Sequence, residues 1–350
     1  MDRRDILSLN LMELEDILVK DGEQKFRAKQ IYEWLHVKKV ETFDEMTNIS
    51  STLRTKMNSG FYINLLNISR KLESRVDNIV KYLYGLSDGN LIETVLMEYN
   101  HGMSLCISTQ VGCKMGCKFC ASTVAGFVRN LEPSEMLQQI YTTEKDSGKK
   151  VSSIVLMGIG EPLDNFDNVI KFLQILSSKE GVNMSLRHIT ISTCGLVPMI
   201  DRLAELGLGL TLSVSLHASH NKTRSEIMPI NHSYNIQELV LACKRYIERT
   251  GRRITFEYAV IDEINSSEEE ASSLAKLLRG MNCHVNLIPI NEIKERSYTS
   301  LMETVHSFQN SLKDKGINVT IRRTLGSDIN AACGQLRRDE IKRSDNIENK

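Results

Sequence analysis

"CKMGCKFC", residues 113–120, places three of the chain's eight cysteines within eight positions. A closed structural zinc site or an ordinary iron-sulfur cluster takes four protein ligands, so Cys113, Cys117 and Cys120 at C-x3-C-x2-C spacing describe a metal centre with one position left open. The alternative is a zinc ion completed by Cys106 or His101.

Outward from this stretch, apolar runs rich in β-branched residues recur: "SLCIST" (104–109), "SSIVLMG" (152–158), "RHITIST" (187–193), "LTLSVSLH" (210–217), "RITFEYAV" (253–260) and "HVNLIPI" (284–290). Each precedes a helical pattern, at 133–147, 165–178, 196–206, 235–250, 267–280 and 299–315. Six strand-helix alternations predict an α/β fold with a parallel sheet buried on both faces, and "INVTIRR" (317–323) is a candidate seventh strand. A doubly wound sheet and a full or partial barrel share this pattern. Both put chemistry at the carboxyl ends of the strands, where the three cysteines fall.

The carboxyl ends of later strands carry further polar groups. "MGIGEP" (157–162) offers Gly160 and Glu161, a backbone able to approach a ligand and a carboxylate able to meet an ammonium. Ser192, the run Ser215, Leu216 and His217, and Asn291 end the third, fourth and sixth strands. Each alone is equally a capping or core polar residue; together they line one rim.

Residues 1–60 are predicted to form a small helical N-terminal domain. Its Lys25, Arg27, Lys29, Lys38 and Lys39 beside Tyr32 and Trp34 suit phosphate contact and base stacking, or else an amphipathic helix with a basic solvent face. Residues 61–100 hold two strands, "NIVKYLYGL" and "LIETVLMEY", joined by Ser87, Asp88, Gly89 and Asn90 as a hairpin. Alternation puts Glu93 on the same face as Leu91, Val95 and Met97, a carboxylate in an apolar row and a candidate for proton transfer. The main α/β unit is expected over 101–338, with a charged tail at 339–350.

Composition narrows the class. Lysine and arginine total 44 against 44 acids, so net charge gives no nucleic-acid signal. The first residues lack a continuous apolar stretch, and no run approaches the roughly 20 residues of a membrane span. A cytoplasmic setting without membrane association is expected, and there clustered cysteines are metal-binding or catalytic. Cys106 within "SLCIST" is by itself a small buried hydrophobe. Cys333, between small residues and near Arg337 and Arg338, is an accessible thiol whose thiolate those cations favour. Cys194, Cys243 and Cys283 are assigned to packing.

The C-x3-C-x2-C spacing with Phe119 before the last cysteine resembles the radical S-adenosylmethionine (SAM) enzymes, which favours a partial (βα)6 barrel over a doubly wound sheet. "KFRAKQIYEWL", "QVGCKMGCKFC", "GIGEPLDN", "SLHA", "MPIN", "NLIP" and "DINAACGQLR" extend the resemblance along nearly the whole chain, to the RlmN/Cfr family of radical SAM RNA methyltransferases. The resemblance implies a [4Fe-4S] cluster on Cys113, Cys117 and Cys120, and SAM held by Gly160, Glu161, Ser192, Ser215, Leu216, His217 and Asn291. Two SAM molecules are consumed per methylation. It further implies Cys333 as an S-methylcysteine carrier, Glu93 as proton acceptor, and Cys106 as the thiol that forms a transient disulfide with Cys333 and releases the RNA. The implied partners are 23S rRNA and tRNA, methylated at C2 of an adenosine, and a cellular one-electron reductant; the chain is expected to be a monomer. Cfr-type members methylate C8 instead, and "GEPLDN" is nearer the C2-forming members. "INEIKERSY" lacks the proline expected after Asn291, and "STCG" has Cys194 where serine or a small apolar residue is commoner. A non-catalytic zinc protein that binds RNA is the alternative of another class.

Overall fold

The computed structural model describes residues 3–290, 298–323, 325–329, 336–337 and 340. The chain opens with strand β1 (Arg4–Asp5), helices α1 (Leu11–Lys20), α2 (Phe26–His36) and α3 (Ser51–Gly60), and β2 (Phe61–Tyr62), which pairs with β1. Three antiparallel strands follow, β3 (Asn67–Glu73), β4 (Ile79–Gly85) and β5 (Leu91–Tyr99), then β6 (Gly102–Cys106). The β4–β5 pair is the expected hairpin. Strand β3 was not legible because, at the sheet edge, "NISRKLE" is largely exposed and charged, as edge strands that resist aggregation are.

After β6 a short antiparallel pair, β7 (Gln110–Gly112) and β8 (Phe127–Asn130), brackets the cysteine loop. The alternation then runs α4 (Pro133–Ser147), β9 (Val151–Leu156), α5 (Phe166–Ser177), β10 (Ile189–Thr193), α6 (Val197–Glu205), β11 (Thr211–Ser215), α7 (Asn221–Ile227), α8 (Ile236–Thr250), β12 (Ile254–Val260), α9 (Glu268–Leu278), β13 (Cys283–Pro289), α10 (Met302–Asp314) and β14 (Val319–Ile321). The helix limits follow local chemistry. Pro133 stands in the first turn of α4 and Gly148, at φ 66°, ends it; Asn235 and Glu238 form a capping box on α8, which Gly251 ends in the same way.

Strand order settles the architecture. The ten-stranded sheet reads β14-β13-β12-β11-β10-β9-β6-β5-β4-β3, and every neighbour pair from β6 to β14 is parallel. A doubly wound sheet reverses its order at a switch point; this one never does. Right-handed crossovers in a single direction lay the connecting helices on one face, so the sheet curls into a partial barrel with β3 and β14 as its edges. The expectation of apolar residues on both faces is corrected on the inner one. There Ser192 pairs in register with Ser213, and Ser215 with Glu257 and Asn286, forming a polar layer inside the barrel.

The N-terminal helices share the barrel's apolar core. Ile31, Tyr32 and Leu35 of α2 are buried in one cluster with Phe172 and Leu176 of α5. At this junction His36 is buried, with Nδ1 2.9 Å from the Tyr141 hydroxyl, and loss of solvent lowers its pKa from 6.5 to about 3. The folded state therefore resists a proton that the unfolded chain accepts below about pH 6.5, and stability falls as pH drops from there toward 3. The expected loss is about 1.4 kcal/mol per pH unit for this one group. Denaturant melts from pH 7 to 4 should show it, with the slope reduced by about one proton in His36→Gln.

Candidate active site

The carboxyl ends of the parallel strands surround a cavity of about 360 Å³, which Cys106, Cys113, Cys117, Cys120, Glu161 and Ser192 help to line. The cysteine loop forms part of its wall. Gly112 permits the turn: at φ 77° it lies so close to β8 that an added Cβ would come within 1.8 Å of the Gly126 carbonyl. The Cys113 amide donates to that carbonyl at 3.1 Å, the Lys118 amide to Ile227 at 2.9 Å, and the Thr123 hydroxyl to the carbonyls of Cys117 and Cys120. Cys113 and Cys117 are buried in an apolar cluster with Met115, Ile227, Met228 and Ile261, and Cys194 lies in it too. Burial pushes the Cys113 thiol up to about 12; burial and then the neighbouring Cys120 push Cys117 up as well. Thiolates here need a positive charge among them, which a metal centre supplies. Among the described residues no three His, Cys, Asp or Glu side chains form a ready site for a metal ion; the three cysteines share one loop and line one cavity.

His217 lines the same cavity. It holds the left-handed conformation, φ 55°, rare for a side chain other than glycine or asparagine. Its carbonyl accepts from Asn265 at 2.7 Å, and its Nδ1 accepts from the Ala259 amide at 2.8 Å, leaving the proton on Nε2. Burial, and secondarily Arg224, lowers its pKa to about 3, so the ring is neutral. It meets Phe119 of the cysteine loop edge-on at 4.7 Å.

Glu161 is buried at the cavity wall, where the amides of Cys194 (2.7 Å) and Leu163 (3.0 Å) donate to its two oxygens. Desolvation raises its pKa and these donors oppose the rise. Gly160 also lines the cavity, but its missing Cβ serves packing: a side chain would meet Gln110 at 2.6 Å, and one on Gly158 the Ile107 carbonyl at 2.5 Å. Close packing against the 107–110 segment thus requires glycine at both positions.

Ser192 and Ser215 both face the cavity. Leu216 does not: its side chain is in the core, its amide donates to Glu257, and its carbonyl accepts from Arg224. Asn291 and Cys333 lie outside the described residues.

Cys106 ends β6 and faces the cavity rather than sitting in an inert core. It pairs in register with Val95 of β5 and clusters with Ile79, Met97 and the partly buried Leu325 and Ile329. Glu93 stands two residues before Val95 on the same strand face and is buried. Its Oε1 accepts from the Arg337 amide at 2.5 Å, and its Oε2 pairs with Lys81 at 3.0 Å. Gly326 and Asp328 are tied by hydrogen bonds to Asp77 and to Ser74 and Arg75. The described residues on both sides of 330–335 are thus fastened beside Cys106 and Glu93.

Sequence reasoning missed three groups. Lys81 reads as the polar step of a strand, yet it is fully buried. Glu257, within "RITFEYAV", accepts from Ser213 (2.6 Å) and Asn286 (2.8 Å) at the cavity wall; an acid inside an apolar strand was the available signal. Arg224 had none. From α7 its buried guanidinium donates to the carbonyls of Cys194, Ser215 and Leu216 and to the Asn231 side chain, stapling the ends of β10 and β11 to the "MPIN" turn.

In the N-terminal domain the structure limits which residues can face a ligand. Tyr32 is buried and cannot stack on a base; Lys25, Lys29 and Lys39 pair with Glu15, Glu180 and Glu144. Trp34 is half-buried, donates to Asn48, and carries the Lys38 ammonium 3.5 Å above its ring. Among the described residues no helix is long and apolar enough to cross a membrane.

Comparison with known proteins decides the family. Residues 4–63 match the ribosomal RNA large subunit methyltransferase N-terminal domain, and residues 107–275 match the radical SAM superfamily. The chain is 53% identical over 338 residues to a probable dual-specificity RNA methyltransferase RlmN of Lachnoclostridium phytofermentans, covering 96% of this chain and 95% of the relative. The chain belongs to the RlmN family. An RlmN relative from Alkaliphilus oremlandii is likewise 53% identical, over 97% of this chain and 99% of its own. A radical SAM methyltransferase from Sphaerobacter thermophilus superposes with a TM-score of 0.90 at 41% identity, covering 95% of this chain and 98% of that one. The chain is thus a radical SAM enzyme of a family that methylates RNA, with the α/β fold expected for it.

Within this RlmN-family site, Arg224 tests how far the cavity wall depends on one buried cation. Arg224→Met leaves the carbonyls of Cys194 and Ser215 without their donor, and a loss of about 3–5 kcal/mol is expected, read as a lowered denaturant midpoint.

Proposed function

We propose that this protein methylates C2 of an adenosine in 23S rRNA and in tRNA, through a methylated Cys333 and a transient protein-RNA adduct. The observation that carries this is the convergence of the three-cysteine loop, Cys106 and the rim of Glu161, Ser192, Ser215 and His217 on one cavity, with Glu93 on the strand face that runs into it. A zinc-only RNA-binding protein has no use for the further thiol aimed into that space.

Cys113, Cys117 and Cys120 would hold the [4Fe-4S] cluster, and Gly160, Glu161, Ser192, Ser215 and His217 the SAM, with Asn291 a further contact. Together, when bound, they would supply a methyl group and the one-electron activation of a C–H bond, two SAM being consumed per methylation. Such chemistry suits the target, because C2 lies between two ring nitrogens and is too electron-poor to attack a methyl cation. The base must leave its stack to enter, as with other base-modifying enzymes.

The chain's own residues then carry the release. Glu93 takes the proton from C2. Once the adduct has given up its unpaired electron to the one-electron couple that began the reaction, the Cys106 thiolate attacks the Cys333 sulfur; the S–S bond forms, the S–C bond breaks with its pair going to the methylene carbon, which takes a proton to become the methyl group, and the methylated base departs. Reduction of the disulfide restores both thiols. The one-electron reductant, a cytoplasmic setting and a monomeric state belong to the same proposal.

Expression of Cys106→Ala in cells, denaturing purification, nuclease digestion and mass spectrometry test it. A nucleotide attached to Cys333 is expected. Absence of any adduct, with the cluster intact and the parent active in the same cells, would overturn the assignment of Cys106.

A further inference from the structure

Lys81 and Glu93 form an ion pair that is almost wholly withdrawn from water: their side chains are 0% and 1% exposed, with Nζ 3.0 Å from Oε2. Burying two charges costs several kcal/mol, and apolar residues of similar volume in both places would be about as stable. Stability alone gives little reason for the pair to exist here. Its position gives one. In the β4–β5 ladder Lys81 stands opposite Val95 and Leu83 opposite Glu93, so lysine and glutamate meet on the diagonal of one face. Val95 is in turn the register partner of Cys106 and lines the cavity.

Glu93 is held from every side. The Arg337 amide donates to Oε1, and the Ser108 hydroxyl donates to the Glu93 carbonyl at 2.6 Å. The buried Arg337 guanidinium adds a second positive charge that feels Glu93.

We infer that Lys81 is a positioning residue for proton removal: its ammonium, 3.0 Å from Oε2, holds the Glu93 carboxylate on the strand face that runs to the cavity beside Cys106. The inference rests on Glu93 being the proton acceptor of the proposed function. In the step itself the C2–H bond breaks, an O–H bond forms on Glu93, and the bonding pair stays with the RNA adduct; Lys81 gives up no proton.

The test uses the full-length enzyme carrying its cluster, in four forms: parent, Glu93→Gln, Lys81→Met and Lys81→Gln. The last keeps a hydrogen-bond donor near Oε2 without the charge. Adduct on Cys333 is quantified by mass spectrometry over time, alongside the yield of methylated RNA and a thermal melt. Lys81→Met and Lys81→Gln are expected to form adduct at the parent rate and release it at least about tenfold more slowly, within the range general-base catalysis commonly contributes. Parental release in either folded Lys81 variant, while Glu93→Gln stalls, would overturn the role of Lys81 and leave Glu93 standing. Parental release in Glu93→Gln would instead sink the proton-acceptor assignment on which the inference rests. Failure of both Lys81 variants to fold, or loss of adduct formation in a folded one, would give the pair to stability alone and overturn the proposal.

Discussion

The constraint on which the molecule depends is that its parallel strands are laid down in one direction without reversal. Right-handed crossovers then place the helices that connect these strands on the outer face and the strand termini of the same polarity at one end. Residues far apart in the chain, from Cys106 to Glu257, meet at that end because seven strands adjacent in the sheet end around one space there. The antiparallel strands β3 to β5 extend the same sheet, which is how Glu93 and Lys81 come to share a face with the cavity.

The interior of that space is held by buried polar groups that satisfy one another. Arg224 ties two strand ends through their carbonyls, Glu161 collects two amides, and Asn265 fixes both the carbonyl and the unusual backbone of His217. Such networks are rigid when complete. The cysteine loop is the exception in charge, since burial disfavours its thiolates until a cation joins them.

Much of this was legible in the sequence, for identifiable reasons. The six strand-helix alternations and their limits were readable because Pro133, Gly148, Asn235 and Gly251 are local signals that tertiary structure did not override. Partial barrel against doubly wound sheet was not, since strand order is a long-range property; the choice came from resemblance. Cys106 looked like packing until the register with Val95 turned it toward the cavity. Tyr32 was mistaken for a stacking surface because a helix shows its periodicity in sequence but not what covers each face. Arg224 and Lys81 were invisible for a shared reason: a buried cation is recognised by its partners, and these come from distant segments.

The measurement that bears most directly on the account is the position of the methyl group. The chain would be expressed in cells whose own adenine-C2 methylation has been removed, and their 23S rRNA and tRNA digested to nucleosides for mass spectrometry against 2-methyladenosine and 8-methyladenosine standards. The account predicts 2-methyladenosine restored in both RNAs and absent when Cys333 is replaced by alanine. Appearance of 8-methyladenosine in its place, or restoration of 2-methyladenosine by the Cys333→Ala variant, would contradict it.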